Sequence, residues 1–222
     1  MLDWQQIQTV LLDMDGTLLD LHFDNYFWLE HVPLRYAERH GMDVEQAKQE
    51  LFPRFKQHEG TMDWYCLDFW TSQLDLDIAL LKQEVDHLIA VHPHVVEFLD
   101  AVRGRGRRVL LVTNAHFKSL DLKMQRTQLS GHFDKLICAH DFGMPKEDTG
   151  FWGKLQVVEP FAREHTLLID DSLAVLRSAR QYGIQHLLSV RKPDSKSPAR
   201  VIEEFEAMTG FQHIMPNREF EQ

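Results

Sequence analysis

The sequence predicts an α/β protein with a parallel sheet, interrupted after its first strand by a helical insert. Three observations carry this reading. Five short apolar runs, at 10–12, 109–112, 136–139, 167–169 and 187–190, have the length and composition of buried strands. From the second run onward helical patterns fall between them, the rhythm of a parallel sheet with crossover helices. Between the first and second runs that rhythm fails, because residues 20–90 hold several helical stretches and no convincing strand. The chain therefore divides into an α/β core, residues 1–19 and 91–222, and a helical subdomain, residues 20–90, standing over the carboxyl edge of the sheet.

Each element has its own local reason. Thr9-Val10-Leu11-Leu12 reads as a short buried strand that Gly16-Thr17 turns. The insert is rich in rings: Phe23, Tyr26, Phe27, Trp28, Trp64, Tyr65, Phe69 and Trp70. Residues 94–103 carry Val95, Phe98, Leu99 and Val102 at helical spacing, with Pro93 as the start. Residues 173–182 are similar, and Asp171 or Ser172 is placed to cap them. Ser197-Pro198 opens a last predicted helix whose Val201, Ile202, Phe205 and Met208 share one face, closed by Gly210.

Composition narrows the function classes. With 222 residues and 44% hydrophobic content the chain can bury a sizeable core. A formal net charge of -10 argues against a nucleic-acid polymer as partner. It leaves room for a small anionic substrate, since a metal and a few local cations dominate one pocket. Cys66 and Cys138 are the only cysteines, which suits a reducing compartment and offers no zinc-ligand spacing. Residues 1–8 are polar, and no apolar stretch approaches the ~20 residues of a membrane helix. The expectation is a cytoplasmic protein with no membrane partner; nothing in the sequence sets its oligomeric state.

The chemistry is concentrated in Asp13-Met14-Asp15-Gly16-Thr17. Two carboxylates one residue apart leave the carboxyl end of a strand, where open α/β sheets bind ligands. Strand alternation would turn them to opposite faces, but Gly16 lets the chain curl and bring both to one pocket. Carboxylates that share a pocket need a compensating cation, and Mg²⁺, which takes oxygen ligands and bridges to phosphate, fits that need. A calcium loop would want a further oxygen ligand where Leu18 and Leu19 stand. Three more elements leave the same sheet edge: Thr113-Asn114-Ala115 after the second strand, Lys146 after the third, and Asp170-Asp171-Ser172 after the fourth. Singly, each reads equally as a cap or a solvated loop residue; one element per strand is a constellation.

These four elements resemble the four motifs of the haloacid dehalogenase superfamily, most of whose members are Mg²⁺-dependent phosphatases, and the insert sits where that family carries its helical cap. A finer resemblance is to the bacterial GMP/IMP 5′-nucleotidase branch. It is carried by Leu19-Asp20-Leu21, Asp24-Asn25-Tyr26-Phe27-Trp28, Trp64-Tyr65-Cys66-Leu67-Asp68-Phe69-Trp70, Gly143-Met144-Pro145-Lys146-Glu147-Asp148 and Ile169-Asp170-Asp171-Ser172. The resemblance implies a Rossmann-like core and a purine nucleotide as the phosphate-ester substrate. It makes Asp13 the nucleophile that becomes an aspartyl-phosphate, and Asp15 the acid and then the base. Thr113 and Asn114 would hold phosphate oxygens and Lys146 would neutralise charge. Mg²⁺, with Mn²⁺ or Co²⁺ as substitutes, would be held by the Asp13 carboxylate, the Asp15 carbonyl, and one or both of Asp170 and Asp171, Asp171 being favoured as direct ligand. The acid role needs a raised Asp15 pKa, expected from proximity to Asp13 and partial burial.

One departure stands out. Many relatives carry proline after the motif lysine, whereas Glu147 and Asp148 follow here, so Lys146 could be angled differently. Of the rings, Tyr26, Trp28, Trp64, Tyr65 and Trp70 are candidates for stacking on a base, worth ~1–3 kcal/mol, with at least half expected to be structural. Asn25 and Asp24 could read a base edge or a ribose hydroxyl. Arg35, Arg39 and Arg54 read as solvated charges, and His92-Pro93-His94 as a surface loop. The competing readings are a phosphatase for a small metabolite such as phosphoglycolate or a sugar phosphate, and a non-catalytic phosphometabolite-binding module. The presence of both Asp13 and Asp15 argues against the second.

Overall fold

In a computed structural model describing residues 2–216, six parallel strands form one sheet in the order β3-β2-β1-β4-β5-β6. Met1 and residues 217–222, the outermost parts of the expected core, lie outside the described residues. The strands are β1 Thr9–Leu12, β2 Arg108–Thr113, β3 Lys135–Cys138, β4 Thr166–Asp170, β5 His186–Val190 and β6 Ala207–Met208. All five predicted strands are present. Val10, Leu12, Val109, Leu111, Leu167 and Ile169 face one apolar layer, and Leu11, Leu110, Val112 and Leu168 face the other. Both faces of the sheet are covered, which is why the strands read as continuous apolar runs.

The helices are α1 His22–Tyr26, α2 Val32–His40, α3 Val44–His58, α4 Met62–Tyr65, α5 Leu67–Leu74, α6 Ile78–Glu84, α7 Val95–Arg103, α8 Phe117–Thr127, α9 Thr149–Val158 and α10 Leu173–Tyr182. Helix α7 begins two residues past Pro93, and Ser172, rather than Asp171, caps α10 by accepting the Val175 amide. Helices α7 and α8 pack on one sheet face, α9 and α10 on the other. Helices α1 to α6 close around a separate apolar cluster that includes Phe23, Phe27, Phe55 and Trp70. The chain enters and leaves this helical segment by paired backbone: Asp20 N–H donates to Ala90 O and His92 N–H to Leu18 O, both at 2.9 Å. The pairing roots the segment at the carboxyl end of β1. No helix among the described residues is long and apolar enough to cross a membrane.

The predicted last helix does not form. Residues 198–206 run without helix, Ser189 N–H donates to Glu206 O, Arg191 N–H to Met208 O, and the segment ends as β6 on the edge of β5. Val201 is 86% exposed while Ile202 and Met208 are buried, so no common helical face exists. The free edge of β5 offers backbone partners that outweigh a weak 3.6-residue periodicity.

Candidate active site

β1 and β4 are neighbours where the strand order reverses, and their carboxyl ends supply the floor of a cleft. The Asp13 amide extends the ladder by donating to Ile169 O at 3.0 Å, which fixes the Asp13 side chain at the edge. Lys146 arrives from the loop after β3, fully buried. Its Nζ donates to Asp13 Oδ1 (2.5 Å), Asp170 Oδ2 (2.7 Å) and Val112 O (2.9 Å). Three donors thus meet three acceptors. Burial opposes the lysine's charge, but Asp13 and Asp170 outweigh it and hold Lys146 protonated.

The loop after Lys146 does not misdirect it. Asp148 caps α9, while Glu147 accepts from Asn114 Nδ2 (2.8 Å) and from the Tyr65 hydroxyl (2.6 Å). Asn114 Oδ1 in turn accepts the Lys146 amide at 2.9 Å. Glu147 therefore locks the lysine loop to β2 and ties it to the helical segment through Tyr65. Burial first, and the Glu147 charge second, hold the Tyr65 phenol protonated. Thr113 is buried, with Oγ1 accepting the Ala115 amide at 3.0 Å, so its own O–H remains available to donate.

Asp13, Asp170 and Asp171 each offer a carboxylate oxygen within 4.8 Å of the others. Gly16 makes this approach possible: it has φ of +83°, and a Cβ there would lie 2.8 Å from the Asp171 carboxyl carbon. Desolvation, the largest effect at each, raises Asp13 and Asp171 to about 7 and Asp170 to about 6, against the pull of Lys146 and, at Asp171, of Arg200. Three all-oxygen donors with insufficient positive charge around them suit a hard divalent cation. Asp170 is already engaged by Lys146 and the Ser172 amide, whereas among the described residues the Asp171 carboxylate accepts from Arg200 Nη1 alone, at 3.2 Å. The Asp15 carboxylate is not in this group.

Asp15 instead faces a buried chain of alternating charge. Its Oδ1 accepts from Lys123 Nζ at 2.6 Å, Lys123 also reaches Asp24 Oδ2 at 2.6 Å, and Lys82 reaches Asp24 Oδ1 at 2.7 Å. Lys123 lies on α8 of the core, Asp24 and Lys82 on α1 and α6 of the insert. Burial would raise Asp24, but the two lysines hold it at about 2. Burial raises Asp15 above the ordinary carboxylate value despite Lys123, and the carboxylate that adds to the effect is Asp24. The direction matches the sequence expectation, Asp24 adds to it, and Asp13 and Asp15 also act on one another. Asp24 lines the cavity with both of its oxygens engaged by lysines.

Above the floor is a cavity of about 420 Å³, within the range of small-molecule sites. Asp13, Asp15, Thr113, Asn114, Lys146, Asp170 and Asp171 all line it, so every catalytic, phosphate-binding or metal candidate from the sequence reaches one space. Trp28, Trp64, Tyr65 and Asn25 line it from the insert. Trp28 and Trp64 lie with ring centroids 6.2 Å apart and planes 26° from parallel. Trp70 is buried in the insert core and Tyr26 is outside the lining. Asn25 donates to Asp194 at 2.6 Å. Arg35 and Arg39 pair with exposed acids, as solvated charges do. Sequence reasoning missed Lys82, Lys123 and Arg200, whose only signal is a lone cation on an amphipathic or loop segment.

A family model described as haloacid dehalogenase-like hydrolase matches residues 7–183. The chain is 38% identical over 214 residues to the GMP/IMP nucleotidase YrfG of Escherichia coli (strain K12), covering 96% of each chain. The same identity and coverage hold for the GMP/IMP nucleotidase YrfG of Shigella flexneri. The crystal structure of an HAD phosphatase from Thermococcus onnurineus superposes with a TM-score of 0.78 at 20% identity, covering 94% of this chain and 96% of that one, and shows the shared fold. The chain belongs to the haloacid dehalogenase-like hydrolases, as an enzyme of the phosphoric monoester hydrolase class.

Proposed function

We propose that this hydrolase releases phosphate from purine nucleoside 5′-monophosphates, GMP and IMP among them, through an aspartyl-phosphate on Asp13. The observation that carries the reading is the single cavity joining a carboxylate-lysine floor to the Trp28, Trp64 and Tyr65 rings. Relatives that are 38% identical over almost the whole chain carry the GMP/IMP nucleotidase name. In this reading residues 20–90 act as a cap over the floor.

Asp13 attacks phosphorus in line, the bond from phosphorus to the ester oxygen breaks, and the phosphoryl group is left on the Asp13 carboxylate. Asp15 gives its proton to the departing ribose oxygen, then takes one from the water that cleaves the aspartyl-phosphate. Thr113 and the backbone N–H groups after β2 donate to non-bridging phosphate oxygens, and Lys146 balances their charge. Asp13, Asp170 and Asp171 would hold Mg²⁺, which supplies charge neutralisation to the phosphoryl group when bound. The Trp28, Trp64 and Tyr65 rings supply flat apolar surface to the base.

The test is phosphate release with Mg²⁺ from GMP, IMP, AMP, pyrimidine monophosphates, phosphoglycolate and sugar phosphates. Selective turnover of GMP and IMP is expected. Preference for phosphoglycolate or a sugar phosphate would overturn the substrate and leave the chemistry in place.

Metal binding has its own expected pH signature. Without metal, the raised values of Asp13, Asp170 and Asp171 mean that the folded chain binds more protons than the unfolded chain between about pH 4 and 7. This cluster is therefore least unfavourable below the unfolded carboxylate value, and stability falls as pH rises through 7. Mg²⁺ must displace those protons at low pH and not at high pH. At ~100 times its Kd it adds about 2.7 kcal/mol, or roughly 5–10 °C in Tm for a chain this size. A larger Mg²⁺-induced rise in Tm at about pH 8 than at about pH 5 is expected; an equal or smaller rise would contradict the assignment.

A further inference from the structure

We propose that Cys66, His116 and His140 form a second metal site, selective for Zn²⁺ over Mg²⁺, that staples the helical insert to the core. The three residues are far apart in sequence, yet one ligand atom from each lies within 4.8 Å of the others. Cys66 sits between α4 and α5 of the insert, His116 precedes α8, and His140 follows β3. Any ion held by all three joins the two parts of the molecule.

A second observation points to a ligand. Among the described residues His140 Nε2 is buried and makes no hydrogen bond of good geometry, although the Asn114 and Tyr65 backbones lie close enough to act on the ring. A buried polar nitrogen without a partner is costly, and an ion is among the groups that relieve it. The His116 and His140 rings meet edge to face with centroids 4.9 Å apart. Neutral imidazoles are the ligating form.

Asp68 borders this group without belonging to it. An Asp68 carboxylate oxygen lies 3.7 Å from His116 Nε2, although Lys118 at 2.5 Å must yield part of its hold. His116 Nδ1 accepts only a long 3.4 Å contact from the Lys118 amide, so carrying the ring proton on Nδ1 gives up little. One sulfur and two imidazoles match zinc chemistry, with a fourth position open to water or to Asp68, whereas Asp13, Asp170 and Asp171 present oxygen alone. On binding, the Cys66 thiol proton leaves to solvent and no electrons are exchanged. His116 also lines the main cavity, so the staple lies beside the substrate space.

The test uses the full chain, stripped of metal and then held in excess Mg²⁺ to fill the carboxylate site. Titration with Co²⁺ is expected to give one four-coordinate ion per chain with a thiolate charge-transfer absorption, displaced by Zn²⁺. Cys66→Ser should abolish that absorption, and Cys66→Ser and His140→Gln should each weaken Zn²⁺ binding at least ~10-fold. In the unaltered chain, Zn²⁺ should shield Cys66 from a thiol reagent while Mg²⁺ does not. That measurement holds even if a variant folds poorly. Absence of the thiolate absorption, Zn²⁺ affinity unchanged in both variants, or Cys66 equally reactive with and without Zn²⁺ would overturn the proposal.

Discussion

In the proposed mechanism Asp13→Asn is expected to lower phosphate release from every substrate by at least ~10⁴-fold, because the amide cannot form the covalent intermediate. Lys146 and Asp170 are held together without it, at 2.7 Å, so the floor keeps its shape. The substitution also removes one of three crowded carboxylates whose burial is only partly compensated. Tm in the metal-free protein is therefore expected to stay level or rise, and Mg²⁺ to bind more weakly. Thermal unfolding run beside the phosphate assay separates lost chemistry from lost fold. Residual turnover above about 1% of the unaltered enzyme would remove Asp13 from the nucleophile role.

Lys123→Met has the second largest expected effect, and it acts on stability and on the pH profile together. Lys123 is the cation shared by Asp15 and Asp24. Taking one partner from a buried ion pair costs about 3–5 kcal/mol. Here the loss depends on pH. Asp15 already sits above its ordinary value and, without Lys123, rises further, so as pH falls it takes up a proton and shed charge limits the cost. Urea unfolding should show the full loss near pH 8 and a smaller one near pH 5. If Asp15 is the acid of the proposed mechanism, it would then keep its proton to higher pH, and the alkaline limb of kcat is expected to move upward. Lys123→Arg, which keeps the charge, should restore most of both. A loss independent of pH, with an unmoved alkaline limb, would make Lys123 a packing residue only.

Much of the site was legible because its chemistry is local. Asp13, Asp15, Thr113, Lys146, Asp170 and Asp171 each follow an apolar run, and a parallel sheet sends the carboxyl ends of all its strands to one edge. No long-range contact is needed to infer that convergence. Glu147 shows the limit of such reading. Its departure from the family pattern raised the prospect of a differently angled Lys146, yet its partners, Asn114 and Tyr65, come from β2 and the insert and make it a brace. The same holds for the rings: Trp28, Trp64 and Tyr65 reach the cavity and Trp70 does not, and their spacing alone does not sort them.

The sequence by itself determined the class of fold, five strands, the place of the helical insert and the carboxylate-lysine floor, because apolar periodicity and strand-end motifs act over a few residues. Tertiary structure alone decided the rest. It turned residues 198–208 from a periodic helix pattern into an irregular segment that ends as the two-residue edge strand β6, since the open side of β5 supplies backbone partners. It put Asp24 between Lys82 and Lys123 and joined that chain to Asp15, and it brought Cys66 to His116 and His140. Buried charges and metal-ligating groups find partners by distance in space, and between the insert and the core that distance is set only when the two parts pack.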